Sequence, residues 1–412
     1  MKKASIITIG NELLSGRTID TNAAYLGSQL LCVGIPVAGS YTVPDEMDPI
    51  VHALNLACDD ADIIVITGGL GPTDDDLTRQ ALAKFLDTDL QLNNELLRKI
   101  MDFFDRRNRP MPATNKIQAY IPKGAEAIAN ALGTAPGIFA RKNEKLFFAL
   151  PGVPLEMKRM FEESVLPYLK DFAAGQVIVV KRLNCFGAGE SKIQQMLGSL
   201  LQRGRNPLIN STVAQGVITL HIIATAADKN LAEQMVENDR KLLTNLLGDL
   251  VFGTDDQTLA EVVGKKLAQE KKTLAVAESC TGGCLAMLIT DVPGASAYFT
   301  QGWVVYSNDA KIIQLGVDPA LIKKHGAVSE EVASAMAKGA RKNAKTDFTI
   351  AITGIAGPAG GTKEKPVGLV YIALDCDAGT VTKKCIFPYD RPVVRRFAAL
   401  TALDMLRHKF RI

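Results

Sequence analysis

The segment DIIVITGGLGPTDDDLTRQALAKFL (62–86) passes from a continuous apolar stretch into three glycines within four residues, then Thr and three Asp, then apolar residues at helical spacing. An apolar run without alternation predicts a strand covered on both faces, and a glycine turn leading into a helix predicts a crossover connection. The same rhythm recurs in SIITIG, TNAAYLGSQLLCVG and DPIVHALNLACDDA, so residues 1–170 read as a doubly wound α/β unit of parallel strands with crossover helices. KLFFALPGVP (145–154) reads as one more strand ended by Pro and Gly, followed by the helix EMKRMFEESVLPYL.

Two more units follow. Residues 171–255 mix strand-like VIVVKRLNCFG and GVITLHIIATA with helical ESKIQQMLGSLL and NLAEQMVENDRKLLTNLLG, a small α+β module. It has no Gly-rich anion loop and no cluster of catalytic residue types, so it reads as a spacer or interaction module. Its βα pattern also suggests an RNA-binding KH-like module, against which the lack of a GxxG loop counts. Lys192, Arg203 and Arg205 read as a solvated face. Residues 256–412 form a third unit, α/β again, ending in the helical RPVVRRFAALTALDMLRHKFRI with basic residues near its end. A length of 412 residues implies two to four domains, and the pattern narrows this to three.

Charge limits the partners. With 47 Lys+Arg against 44 Asp+Glu, the net +3 is too weak for a broad nucleic-acid or membrane footprint, so an anionic ligand has to be gripped locally. Seven cysteines without a CxxC pair suit free thiols in a reducing cytosol. Cys280 and Cys284 read as core packing rather than a zinc site. The apolar start MKKASIITIGNE breaks at Gly10-Asn11-Glu12, too early for a signal core, and no uncharged run has bilayer length. A cytoplasmic protein with no membrane partner is expected.

Two glycine-rich sites carry chemistry. The backbone amides of Gly68, Gly69 and Gly71 can approach an anion, and the next helix start adds partial positive charge. The loop lacks the lysine of a nucleotide P-loop, and a plain turn capped by its Asp residues is the competing reading. Three consecutive acids on a phosphate loop call for a bridging divalent cation, with Asp76 as its ligand. GNELLSGRTIDTN (10–22) follows the first strand to the same sheet edge and brings Glu12, Asp20 and Asn22.

In AESCTGG (277–283) a strand delivers Ser279, Cys280 and Thr281 onto the Gly282-Gly283 turn, where unpaired helix amides could stabilise an oxyanion. Ser279 as a helix N-cap and Cys280 as the nucleophile are the alternatives. None of the four His sits in a partner motif, so a nucleophilic Ser279 needs a lysine of depressed pKa as its base. VVYSNDAK (304–311) offers Lys311, with Tyr306, Ser307 and Asn308, to the same cleft. TGIAGPAGGTKEKPVG (353–368) holds five glycines between two strands and suits wrapping a phosphate or ribose; Thr353, Gly354, Gly357, Gly360 and Gly361 are its candidates.

GGLGPTDDDLT, GNELLSGRTIDTN, GTAPG (133–137) and LPGVPLEM (150–157) together resemble the molybdopterin-binding (MoaB/MogA-like) fold found at the head of the CinA family. The resemblance implies a three-layer domain with metal-dependent ADP-ribose pyrophosphatase activity, its pocket lined by Gly68, Gly69, Gly71, Thr73 and Asp76. AESCTGG, YSNDAK, KHGAVS and TGIAGPAGGTKEKPVG resemble the CinA C-terminal domain, a nicotinamide mononucleotide amidohydrolase. That implies a cofactor-free Ser–Lys dyad: Lys311 accepts the Ser279 proton, Ser279 attacks the carboxamide carbon, ammonia leaves, and water releases nicotinic acid mononucleotide. Tyr306 would position the dyad; Thr281, the 354–361 loop and Arg391 or Arg395 would hold the 5′-phosphate. The expectation is a homodimeric enzyme acting on nicotinamide mononucleotide and ADP-ribose, without nucleic acid. A molybdopterin-binding protein, or a non-enzymatic competence or damage-response partner, are the rival readings.

Overall fold

The structure, a computed structural model, describes residues 2–172 and 177–410, the side chain of Asp171 excepted. Met1, at the expected N-terminal strand, and Arg411 and Ile412, at the expected end of the last helix, lie outside the described residues. The chain forms two compact units, residues 1–179 with 224–234, and residues 180–223 with 235–412.

In the first unit the strands are β1 (Ala4–Ile9), β2 (Val37–Val43), β3 (Ile63–Thr67), the short pair β4 (Leu90–Leu92) and β5 (Tyr120–Pro122), then β6 (Glu126–Ile128), β7 (Gly137–Lys142) and β8 (Lys145–Leu150). The main sheet runs β2-β1-β3-β8-β7-β6. Its first four strands are parallel. β7 and β6 are antiparallel, which corrects the all-parallel expectation. The cause is local. Asn143 and Glu144 both take positive φ (49° and 63°) and reverse the chain in two residues, so β7 and β8 need no crossover.

Every residue of β1 and β3 is buried. Ile7, Ile64 and Ile66 pack with Leu54 and Leu82 on one face, and Ile6, Val65 and Phe148 with Leu26 and Phe161 on the other. Two covered faces make three layers, the physical reason these runs do not alternate.

A four-stranded sheet, most of it in the second unit, consists of β9 (Val177–Cys185), β10 (Leu208–Ala214), β11 (Val217–Ala226) and β12 (Val251–Thr254), ordered β10-β11-β9-β12. Arg205 corrects the solvated-face reading: its guanidinium pairs with the buried Asp239 carboxylate, Nη2 to Oδ1 at 2.6 Å, and donates to the Pro207 carbonyl at 2.8 Å.

The same unit continues with β13 (Leu274–Glu278), β14 (Phe299–Val304), β15 (Phe348–Gly354), β16 (Leu369–Cys376) and β17 (Gly379–Ile386), ordered β14-β13-β15-β16-β17. β14, β13 and β15 are parallel, and β16 and β17 antiparallel. One face packs on the helix Glu330–Ala344, through Val332, Met336 and Ala340. The other packs on the helices Leu259–Gln269 and Arg391–Lys409. The carboxyl ends of the three parallel strands therefore meet at one edge, and each leads into one of the motifs AESCTGG, YSNDAK and TGIAG. Among the described residues no helix is long and apolar enough to cross a membrane.

Candidate active site

At that edge the Ser279 amide donates to the Ile352 carbonyl of β15 at 2.9 Å, holding the residue just beyond β13. Lys311 arrives on the helix Asn308–Leu315, which begins where Ser307 caps the Ala310 amide at 3.1 Å. Its Nζ stands 3.0 Å from Ser279 Oγ, 2.9 Å from the Val305 carbonyl and 3.2 Å from the Tyr306 carbonyl. Both partners are buried, Lys311 to 1% exposure and Ser279 to 7%. Burial lowers the lysine pKa from its ordinary 10.5, because the desolvated site penalises the ammonium. A neutral amine has two N–H bonds and one lone pair. The Ser307 carbonyl stands at 3.4 Å as well, so when the amine is neutral its two N–H bonds can go to these carbonyls and its lone pair to the Ser279 hydroxyl.

The turn after Ser279 departs from expectation. Glu278, 1% exposed, accepts the amides of Gly283 and Leu285 at 3.0 Å and of Ala286 at 2.8 Å. The helix Cys284–Thr290 thus has its first amides satisfied by a buried carboxylate, and they are not free for an oxyanion. Ser279 is not the cap either, since Gly283 holds that position. Among the described residues the amides of Cys280 and Thr281 have no backbone acceptor, and they stand beside Ser279. Cys280 is 5% exposed and its thiol is pushed up to about 12 by burial, which leaves it protonated and inert as a rival nucleophile.

Around the dyad, two arginines brace the turns. Arg391 donates to the Tyr306 phenol oxygen and to the Gly357 carbonyl, both at 2.9 Å. Arg395 gives Nε and Nη2 to the Thr281 carbonyl at 3.0 and 2.7 Å. The Thr281 hydroxyl is fully buried and has no partner among the described residues. Thr353 is not presented to a ligand: its hydroxyl donates to the Ala327 carbonyl at 2.8 Å. Asn308 is exposed at the helix start, and Gly282 and Gly283 form the turn itself. Gly354 ends β15 against the Cys280 sulfur, and Gly357, Gly360 and Gly361 lie in the loop beyond it. Lys365 pins that loop by donating to the carbonyls of His325 at 2.6 Å and Val328 at 2.7 Å.

A second concavity, about 450 Å³, opens in the first unit between the 68–76 loop, the start of the 10–22 segment and Gly152. Gly68 is confined by its neighbours: φ is +107°, and a Cβ there would stand 2.2 Å from the Ile9 carbonyl oxygen. Gly69, Gly71 and Thr73 also line the cleft. Asp76 lies at its wall, but both carboxylate oxygens are engaged, Oδ1 by the Gly71 amide at 2.7 Å and Oδ2 by the Thr73 amide at 2.9 Å and hydroxyl at 2.5 Å. It caps the turn and is not an open metal ligand. Asp20 and Asn22 do not line the cleft. Asp20 caps its own helix at the Ala23 amide, 2.8 Å, and Asn22 is buried against the Thr67 hydroxyl and the Gly152 carbonyl.

Glu12, Asp45, Asp75 and Glu156 do line it, and among the described residues no Lys or Arg joins them. Burial, and then the charges of Glu12, Asp75 and Asp76, raise the Asp45 pKa. These all-oxygen donors suit a hard divalent cation in chemistry. Among the described residues, however, no group of three His, Cys, Asp or Glu side chains is placed to hold a metal ion, so a cation here would need a ligand's phosphate oxygens to complete its coordination.

Residues 256–410 match the family described as the CinA C-terminal domain, residues 5–171 the probable molybdopterin binding domain, and residues 180–253 the damage-inducible protein CinA KH domain. A CinA-like protein of Kosmotoga olearia is 42% identical over 405 residues, covering 98% of both chains. The chain belongs to the CinA family. A Clostridium perfringens relative, whose name refers to competence and damage induction, is 44% identical over 408 residues, 99% of this chain and 98% of its own. The crystal structure of CinA from Thermoplasma acidophilum aligns with 41% of this chain and 98% of its own at 36% identity, with a TM-score of 0.38.

The CinA KH match gives the small α+β middle module a KH-like fold. That fold is present although the stretch carries no GxxG loop. The turn after the helix Glu190–Leu197 reads Gly198-Ser199-Leu200-Leu201.

Two residues of this CinA chain escaped the sequence reading. Glu278 is the one charged residue in the strand LAVAE, a signal of a specific buried partner. Arg79, 1% exposed, donates to the carbonyls of Leu70 at 2.6 Å and Gly71 at 2.7 Å and ties down the glycine loop. Burial lowers its pKa to about 10, and the signal was a lone cation in the first turn of a helix, where the dipole disfavours it.

Proposed function

We propose that the second unit deamidates nicotinamide mononucleotide with Ser279 as nucleophile and Lys311 as base. The observation that carries the reading is the 3.0 Å contact between a buried, pKa-depressed lysine and a buried serine hydroxyl. The Ser279 proton passes to Lys311 Nζ while Oγ bonds to the carboxamide carbon. The resulting oxyanion faces the amides of Cys280 and Thr281. Collapse breaks the C–N bond, Lys311 returns the proton to the departing nitrogen, and ammonia leaves. Water, deprotonated by Lys311, then cleaves the acyl-serine and releases nicotinic acid mononucleotide. The cationic pyridinium withdraws electrons and makes this carboxamide more electrophilic than an ordinary amide. The test is ammonia release from nicotinamide mononucleotide by the intact chain; its absence defeats the reading.

For the first unit the reading is cation-dependent hydrolysis of ADP-ribose. What supports it is a cleft with open carboxylates and no cationic side chain, which repels a diphosphate until a cation neutralises it. A bound divalent cation would polarise the diphosphate oxygens. The glycine-loop amides and Arg79 keep the loop in shape. Conversion of ADP-ribose to AMP and ribose 5-phosphate with added divalent metal, lost with chelator, is expected. Tighter calorimetric binding of pterin than of ADP-ribose would favour the molybdopterin reading instead.

A further inference from the structure

The helix Arg391–Lys409 serves three places along its length. Its first turns carry Arg391 and Arg395 to the dyad's loops. Near its end the fully buried Arg407 pairs with Asp404 at 2.8 Å and donates to the Asp249 and Val251 carbonyls of the KH module. Between these, Phe397 and Thr401 face a cavity of about 410 Å³ that the KH module closes with Phe186.

The walls are aromatic. Tyr389 stacks on Phe397 with centroids 5.1 Å apart and planes at 27°, and Phe387 lies 5.7 Å from the same ring. Thr401 is 6% exposed yet makes no hydrogen bond with the protein among the described residues. Helical threonines ordinarily bond the carbonyl four residues back, as Thr290 does to Ala286 at 2.9 Å. Its hydroxyl is therefore free toward the cavity. Lys383 stands at the rim, exposed and without an ion pair among the described residues, while the Glu190 carboxylate, also at the cavity wall, accepts from the Ser211 hydroxyl at 3.0 Å.

We propose that this cavity is a second ligand site, for a nucleoside monophosphate, and that its occupancy is passed to the Ser279–Lys311 site along the helix Arg391–Lys409. The aromatic faces suit a planar base, the Thr401 hydroxyl suits a ring or ribose heteroatom, and the Lys383 ammonium suits one phosphate. The volume lies within the range of about 300–1,000 Å³ usual for small-molecule pockets. A rigid helix that bears on both places is the physical link, since a shift of Phe397 moves Arg391 and Arg395 with it.

The experiment uses the full chain and AMP, with adenosine and inorganic phosphate as comparison probes. Equilibrium dialysis should show saturable AMP binding, at least tenfold tighter than either comparison probe. Tyr389→Ala and Lys383→Ala, both at exposed positions, should each weaken it at least tenfold with an unchanged circular dichroism spectrum. AMP should also slow amide hydrogen exchange in residues 391–397 and 354–361, a readout that does not depend on the deamidase reading. No saturable binding, or binding indifferent to both substitutions, overturns the site. Binding without altered exchange overturns the link. A change of sedimentation in Tyr389→Ala, with AMP affinity unchanged, gives the surface to a second copy of the chain and also overturns the site.

Discussion

Lys311 Nζ lies 3.0 Å from Ser279 Oγ although 32 residues separate them, and the Val305 carbonyl at 2.9 Å holds the same nitrogen from behind. The lysine is confined by its own strand-to-helix connection before it meets the serine, so its lone pair has one direction left. Removing either partner should therefore abolish the chemistry without unfolding the protein. Ser279→Ala and Lys311→Ala are each expected to cut ammonia release by at least about 10³-fold, with the double variant little worse. Additive losses in the double variant would show that the two do not act as a unit.

The pH dependence follows from the direction of the Lys311 shift. Only the neutral amine accepts a proton, so kcat/KM should fall as pH drops through a pKa that burial places below 10.5. Stability moves in the same sense. Between that pKa and 10.5 the unfolded chain holds a proton that the native state lacks, so stability rises with pH across this window and the penalty is constant below it. Lys311→Met should flatten this part of the urea-midpoint profile. An identical profile in both proteins would remove the buried charge from the account.

Glu278 offers a test of the turn. Gln in its place presents one acceptor and one NH₂ donor to three helix amides, leaving at least one buried N–H unpaired. Glu278→Gln should cost about 1–3 kcal/mol in urea unfolding. It should also lower kcat more than it raises KM, because Ser279 sits on the adjoining residue. Full stability in this variant would mean that solvent reaches those amides.

In the first unit, Gly68→Ala forces a left-handed backbone on a side chain that meets the Ile9 carbonyl. A loss of about 1–3 kcal/mol or more is expected, read as a lower melting midpoint. A neutral effect would show that the loop relaxes freely.

The open carboxylates of that cleft predict a different pattern. Glu12→Gln and Asp75→Asn should raise the divalent-cation concentration needed for ADP-ribose turnover and leave ammonia release untouched. Asp76→Asn should chiefly lower thermal stability, since its carboxylate serves the turn. Equal cation requirements in all three variants would count against the assignment of roles.

Much was legible before the fold was known. Unalternated runs such as Ile63–Thr67 marked strands with two covered faces, and three glycine-rich motifs marked sheet-edge turns. The antiparallel β7 was not read, because GIFARK carries no breaker that separates it from KLFFAL; two ordinary residues at positive φ make the reversal. Asp20, Asn22 and Asp76 were grouped by nearness to a turn, yet their side chains are spent on caps and carbonyls that sequence spacing does not reveal.

The sequence by itself determined which elements form and which residue types reach the sheet edge, because period, glycine punctuation and strand burial are local properties. It also carried the family, through motifs spread over nearly the whole chain. Only the tertiary structure decided which polar groups are free to act. The Ser279 hydroxyl is left to Lys311 because Glu278 takes the helix amides, and packing that removes water from the Lys311 ammonium lowers its pKa toward that of a base. A charge's desolvation and a donor's last open partner depend on residues distant in sequence, and they exist only once the chain has closed around them.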